Sequence, residues 1–419
     1  MEDVERKVLE AIDLDGLLAF LKDLVAIRSL GGEERPAQEF VAAALGRLGL
    51  SIDRWEIDLA ALRRHPSFSM EVERSGGLGV VGTLKGSGRG RSLLLNGHVD
   101  VVPPGDAGNW TSPPWEATFR EGQVVGRGTV DMKGGLACAL FAIRAIVDAG
   151  VRLKGDLGLE SVIGEEDGGV GTLASCLRGH RADGAILLEP TELTVAPAQA
   201  GALSFRVTVP GLSAHAAVRE EGVSAVEKFH PIHDALLALE RERNRAHRDP
   251  LYARYDLPYA LSIGRVSAGN WSSSVPEALT FEGRYGVAVD EDVADARRSF
   301  EAAVATAAAA DPWLRGHPPR VEWWGGQFEP ARIPTDHALP TTLLAAFADA
   351  NGRPSRLEGM TYGSDMRHLV KVGETPAVLF GPGDVRRAHR PDESVPVEDL
   401  VAATRAVALA ALLFCGVED

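Results

Sequence analysis

Apolar residues recur every three or four positions over 14–27, at Leu14, Leu17, Leu18, Leu21, Leu24 and Val25, which predicts a helix with one buried stripe. Phe40, Val41, Leu45 and Leu48 repeat the pattern over 36–49, and Gly49 stands where such a helix stops. Two short apolar runs, 78–85 and 91–96, flank Gly86-Ser87-Gly88-Arg89-Gly90 and predict a β-hairpin. The second run ends at Asn96-Gly97, a turn pair. The stretch 103–114 is rich in Pro, Gly and Trp and reads as a loop. Leu136, Leu140, Ile143, Ile146 and Val147 mark a further helix, and strands are expected over 157–163 and 185–188. Helices alternating with strands predict a layered α/β domain.

The pattern changes near residue 200. A strand over 202–209 is followed by a helix over 221–243, strands near 259–266 and 277–289, an Ala-rich helix over 290–310 and a strand over 320–324. This order, βαββαβ, is that of a ferredoxin-like domain, which folds on its own. Alternation then returns, with helices over 336–351 and 364–371, a strand over 377–380 and a last helix over 398–414. The expected organisation is a mixed-sheet α/β domain formed by 1–200 and 329–419, with a ferredoxin-like domain inserted at 201–328.

Composition narrows the function. A chain of 419 residues exceeds one ordinary core, in keeping with two domains. A net charge of −15 argues against nucleic acid or an anionic membrane as partner. Cys138, Cys176 and Cys415 are far apart in apolar helical patterns, so they read as buried small hydrophobes, neither disulfides nor a thiolate zinc cluster. Residues 1–10 are charged and helix-like without a signal-peptide pattern, and no apolar run reaches membrane-spanning length; a cytoplasmic protein is expected.

The candidate chemistry sits at the ends of the apolar runs. Leu93–Leu95 leads to His98 and Asp100; we read His98 as a metal ligand and Asp100 as the carboxylate that orients its ring. Asp131 follows Gly126-Arg127-Gly128, Glu165 and Glu166 precede Asp167-Gly168-Gly169, Glu189 precedes Pro190-Thr191, and His389 lies in the C-terminal part. Singly, each has an ordinary reading as a turn former, a helix cap or a hydrogen-bonded histidine. Together, His98, Asp131, Glu166, Glu189 and His389 form a nitrogen and oxygen donor set suited to two Zn²⁺ ions, with Co²⁺ or Mn²⁺ as substitutes. Adjacent residues point apart, so Glu166 goes to the metal and Glu165 to general-base work on a water.

These stretches together resemble the M20 family of metallopeptidases and deacylases, the group of acetylornithine deacetylase and succinyl-diaminopimelate desuccinylase. The match is collinear through NGHVDVVP at 96–103, GRGTVDMKGG at 126–135, GEEDGG at 164–169, EPT at 189–191, GLSAHAA at 211–217 and GPGDVRRAHRPDE at 381–393. The resemblance implies that the larger domain is catalytic, that His98 and Glu189 hold one ion and Glu166 and His389 the other, and that Asp131 bridges them. It implies that Glu165 is the acid/base and that the inserted domain is a lid and homodimerisation domain. His215 would stabilise the oxyanion in the partner subunit's site. Arg284 and the loop of Ser364 and Arg367 would hold the polar end of a substrate. Glu189, in place of Asp, leans towards deacylases and carboxypeptidases. Many members carry Asn where this chain has Ser273, which weighs against acetylornithine or succinyl-diaminopimelate as substrate. The stretches around His65-Pro66, Glu227-Lys228 and 271–276 are closer to the formylaminopyrimidine deformylase-like branch.

The expected activity is hydrolysis of the amide bond in a small N-acylated compound by a dinuclear zinc enzyme. The same fold would serve a carboxypeptidase or aminoacylase releasing a free amino acid. A catalytically silent, metal-binding dimeric module is the rival from another class; the presence of Glu165 beside all five ligand candidates speaks against it. A Ser or Cys nucleophile lacks its Gly-x-Ser-x-Gly turn.

Overall fold

A computed structural model describes residues 3–418. The chain divides into two compact units. The first runs up to Ala198 and is completed by Ala331–Met360 and the chain from Ser364 onwards; the second is Gln199–Pro330 with Thr361–Gly363.

The first unit is built on a six-stranded sheet. Its order is Ser51–Glu56, Leu78–Leu84, Leu157–Val162, Leu93–His98, Gly184–Leu187 and Ala377–Leu379. The last four strands are mutually parallel, whereas Leu78–Leu84 is antiparallel to both its neighbours. Leu93–His98 is buried at every position, as expected of a central parallel strand covered on both faces. Helix Gly134–Asp148 covers one stretch of the sheet and is buried at Leu136 through Ile143 without a break. It packs in turn on the helix Val397–Cys415, most of whose residues are buried as well. Helix Leu14–Ala26 is closed by the Asp13 carboxylate, which accepts the Gly16 N–H at 2.9 Å. Helix Arg35–Arg47 stops at Gly49, whose φ of 78° is left-handed.

Two local expectations are overturned. The runs before and after Gly86–Gly90 do not form a hairpin: Leu157–Val162 lies between Leu78–Leu84 and Leu93–His98 in the sheet. The connection instead bonds to the residues leading into that middle strand, with Ser87 N–H on Leu153 O and Arg89 N–H on Lys154 O. Nor is Asn96-Gly97 a turn. The strand continues through it to His98, because the buried Asn96 amide finds partners in Glu160 Oε2 at 2.7 Å and Thr172 Oγ1 at 3.1 Å.

The second unit has the order strand Gly201–Pro210, helix Ala225–Ala246, strands Leu261–Ala268 and Ala278–Val287, helix Val293–Ala310 and strand Arg320–Phe328. The sheet is antiparallel, with Gly201–Pro210 between Ala278–Val287 and Arg320–Phe328. Along Gly201–Pro210, Leu203, Phe205, Val207 and Val209 are buried while Ser204, Arg206 and Thr208 are half-buried, the period-two alternation of a sheet with one packed face. Phe205, Phe281, Tyr285 and Phe300 form the centre of that core. The first helix begins later than its apolar pattern suggested, because Ser224 caps it by accepting the Glu227 N–H and a 3-10 turn occupies Ala216–Glu221.

Gly135 marks the tightest packing near the functional edge. A Cβ there would lie 2.0 Å from Leu188 O, so helix and sheet approach through a bare backbone. Gly135→Ala should therefore lower stability by about 1–3 kcal/mol through overpacking. Gly46, inside helix Arg35–Arg47 with nothing within 4 Å of its missing Cβ, should behave in the opposite sense. Gly46→Ala should add about 0.5–1 kcal/mol. Thermal unfolding of both variants checks the pair; a Gly135→Ala protein as stable as wild type would contradict the close approach.

Candidate metal centre

Parallel pairing dictates where the chemistry collects. Leu157–Val162, Leu93–His98, Gly184–Leu187 and Ala377–Leu379 are neighbours running the same way, so their C-terminal ends open on one edge. His98 ends its strand, Glu165 and Glu166 follow Val162, and Glu189 follows Leu187. The segment after Leu379 brings His389, and the turn ahead of helix Gly134–Asp148 brings Asp131. Residues almost 300 apart in sequence are thereby delivered to one place.

His98 is fully buried, and its Nδ1 lies 2.9 Å from the main-chain oxygen of Asp100. A carbonyl can only accept, so Nδ1 carries a proton and Nε2 is the ring atom left to face the carboxylates. It lies 3.2 Å from Asp131 Oδ1 and 3.9 Å from Glu165 Oε2. The Asp100 carboxylate stands farther from the ring, with Oδ1 at 3.7 Å from Nδ1, while Oδ2 accepts the Glu166 N–H at 3.0 Å. The ring is thus oriented by Asp100's main chain, and its carboxylate holds the glutamate loop. On the other side, His389 Nε2 lies 3.0 Å from Glu166 Oε2 and 3.3 Å from Asp131 Oδ2. Asp131 offers one oxygen to each imidazole. Donor atoms of His98, Asp131 and Glu166 lie within 4.8 Å of one another, and so do those of His98, Glu165 and Glu189.

The electrostatics call for a cation. Burial pushes the Glu165 carboxyl well above its ordinary range, and the neighbouring Glu189 adds to this. Burial does the same to Glu189, and to Glu166 with Asp131 contributing. For Asp131 burial is outweighed by hydrogen bonds from His389 and His98, which hold it below the usual range. The Glu166 charge pushes His389 up to about 11. Four carboxylates against two imidazoles leave the cluster short of positive charge. Against the cost of its burial, Asp131 and the neighbouring acids also push His98 well above the ordinary imidazole range. A divalent ion between these acceptors supplies the missing positive charge, and the nitrogen and oxygen donor set suits one of the zinc type. The residues present fit a metal.

The loop that carries Glu165 and Glu166 is gripped from two sides, by Arg74, which the sequence did not single out, and by Arg367. Arg74 is buried, reaches Glu34 Oε1 at 2.7 Å and Asp167 Oδ2 at 2.7 Å, and so fixes the loop through its third acid. Arg367, read from the sequence as a substrate residue, is buried and donates to Gly168 O at 2.7 Å and Ser69 Oγ at 3.3 Å. Ser364 is buried beside it and accepts the Met366 N–H. Between them Asp365 is fully buried, accepts from Thr172 Oγ1 at 2.6 Å, and is pushed up to about 6 by burial. Thr172 in turn accepts from Asn96, which also serves Glu160, so a buried polar chain underlies the site.

Three expected site residues belong to the second unit. His215 is exposed, with Nδ1 accepting the Ala217 N–H at 3.1 Å. Ser273, also exposed, accepts the Ala216 N–H at its carbonyl, which puts the two loops side by side. Arg284 donates to Thr361 O at 2.8 Å.

The family model of peptidase family M20/M25/M40 matches residues 94–413. N-formyl-4-amino-5-aminomethyl-2-methylpyrimidine deformylase of Halalkalibacterium halodurans is 30% identical over 414 residues, covering 93% of this chain and 92% of the relative. The Bacillus subtilis protein of the same name is 30% identical over 397 residues, covering 88% and 87%. An M20 family metallo-carboxypeptidase from Sulfolobus solfataricus shares the fold with a TM-score of 0.72 at 16% identity, over 99% of both chains. Among the described residues no helix is long and apolar enough to cross a membrane. The chain belongs to peptidase family M20/M25/M40 and is a metal-dependent hydrolase.

Proposed function

We propose that this protein is a dinuclear zinc amidohydrolase that removes a small acyl group, formyl foremost, from an aminomethyl group on a heteroaromatic ring. The observation that carries the reaction class is Asp131, which turns one oxygen towards His98 and the other towards His389, with Glu165 buried alongside. A carboxylate so placed suits a bridge between two ions, one held by His98 and Glu189 and one by Glu166 and His389. The relatives at 30% identity over nearly the whole chain, and Ser273 at the position discussed above, support the formyl-amine reading.

Bound there, the ions supply Lewis-acid chemistry, making a water more acidic and an amide carbonyl more electrophilic. Glu165 takes the proton of the attacking water and delivers it to the leaving nitrogen. Its burial raises its proton affinity towards that of a group able to do both. The main-chain oxygen of Asp100 keeps His98 in the tautomer that leaves Nε2 free. We assign His215 to the developing oxyanion in the site of a second copy, which makes the homodimer the active form. Arg284 is assigned to the polar end of the substrate.

Glu165→Gln should lower kcat by about 10²–10⁴-fold. Its metal content, read by elemental analysis, should stay at the wild-type level. Wild-type turnover in this variant would remove Glu165 from the mechanism. Chelation should abolish amide hydrolysis, and two equivalents of Zn²⁺ per chain should restore it; recovery complete at one equivalent would refute the dinuclear reading. The substrate reading is checked by kcat/KM on an N-formyl aminomethylpyrimidine beside N-acetylornithine, N-succinyl-diaminopimelate and N-acyl amino acids. The first should be preferred by at least tenfold, and preference for an N-acyl amino acid would make the protein an aminoacylase or carboxypeptidase instead.

A further inference from the structure

We propose that Glu393 is a positioning residue for the metal centre, setting where Asp131 stands and tying it to the segment that carries His389. The proposal rests on the dinuclear reading above.

Glu393 and Arg127 are each 1% exposed. Glu393 Oε1 accepts two main-chain N–H groups, those of Val130 and Asp131, each at 3.1 Å. Its Oε2 pairs with Arg127 Nη1. Its own carbonyl accepts the Gly126 N–H at 2.9 Å and the Thr129 hydroxyl at 3.3 Å. Arg127 continues the link: Nη2 donates to Pro103 O at 3.3 Å, and the guanidinium carbon lies 5.3 Å from the centre of the Trp110 ring. Along the chain, Glu393 follows His389, Arg127 precedes Asp131 and Pro103 follows His98. One buried ion pair therefore joins three segments, each bearing a metal-ligand candidate.

The division of labour within the Glu393 carboxylate separates this role from mere stability. Apolar residues of similar volume often stabilise a fold as well as a buried ion pair does. Here, however, one oxygen is spent on the main chain of Asp131 itself. Two N–H groups converging on one atom orient the successive peptides Thr129–Val130 and Val130–Asp131, and with them the root of the Asp131 side chain. The other oxygen and Arg127 keep that carboxylate from rotating. A neutral amide at 393 can still accept from the main chain, but it leaves the Arg127 charge buried without its partner.

The test titrates metal-free wild type, Glu393→Gln and Arg243→Met with Zn²⁺ by calorimetry, and with Co²⁺ followed by visible absorption. Arg243 forms a buried pair with Glu291 in the second unit, so Arg243→Met reports what losing such a pair does to folding alone. Wild type and Arg243→Met should each bind two ions with the same affinities and the same cobalt spectrum. Glu393→Gln should bind at least one ion about 10–100-fold more weakly, the usual cost of losing a group that orients a ligand. Its cobalt bands should also change in position or intensity. Wild type binding fewer than two ions would defeat the dinuclear reading whatever the variant does. Two ions in wild type, with unchanged affinities and cobalt spectrum in a folded Glu393→Gln, would overturn the positioning role. If Glu393→Gln does not fold, Arg127→Lys takes its place in both titrations, since it keeps the charge and loses the planar fork. Weaker metal binding there supports the proposal, and wild-type binding overturns it.

Discussion

Like charges must be held close together; the whole site follows from how this is managed. Asp131, Glu165, Glu166 and Glu189 meet at the strand ends, largely buried, and among the described residues His98 and His389 are the imidazoles that face them. Left alone, such a cluster takes up protons, and the raised pKa values of the three glutamates record that tendency. A divalent ion offsets it far better than a proton, because one ion serves several oxygens at once. The structure behind the site is the apparatus that keeps these acids from moving apart. Arg74 and Arg367 hold the 164–169 loop, Asp100 holds both His98 and Glu166, and Glu393 lies under Asp131.

The sheet makes that crowding affordable. Four parallel strands put four chain segments side by side with their ends in step, as His98 opposite Val162 shows. Bringing distant segments together costs loop entropy, and here it is offset by the fully buried strands, not by the site. The tight contact of Gly135 with the Leu188 backbone belongs to the same economy. It brings the helix after Asp131 close to the strand before Glu189.

Most of the architecture was legible in the sequence because it rests on periodicity. The α/β alternation, the βαββαβ order in the middle and the acids at strand ends all follow from where apolar runs begin and stop. The misread places have a common cause. Gly86–Gly90 and Asn96-Gly97 carry strong local turn signals, yet tertiary pairing prevailed: Leu157–Val162 entered between the two strands, and Glu160 and Thr172 supplied Asn96 with partners. The residues behind the site were illegible for a related reason. Arg74, Asp167, Asp365 and Glu393 matter through contacts with residues far away in the chain, and nothing in their local pattern separates them from solvated charges. Asp100 shows the finer limit. The sequence located the group that orients His98, but which of its oxygens does so depends on main-chain direction.

The insertion of the second unit bears on how the chain is made. Strand Gly184–Leu187 pairs on one side with Leu93–His98, and its other partner is Ala377–Leu379. Between the two lies the entire second unit. At a synthesis rate of about 5–20 residues per second, the intervening stretch of roughly 190 residues takes on the order of 10–40 seconds to emerge. Throughout that interval the edge of Gly184–Leu187 has no native strand to cover it, and an apolar open edge is a template for pairing with other chains. The first unit closes only when the residues just ahead of His389 arrive. The time for which that edge stands open during synthesis therefore grows with the length of the unit inserted within the first unit.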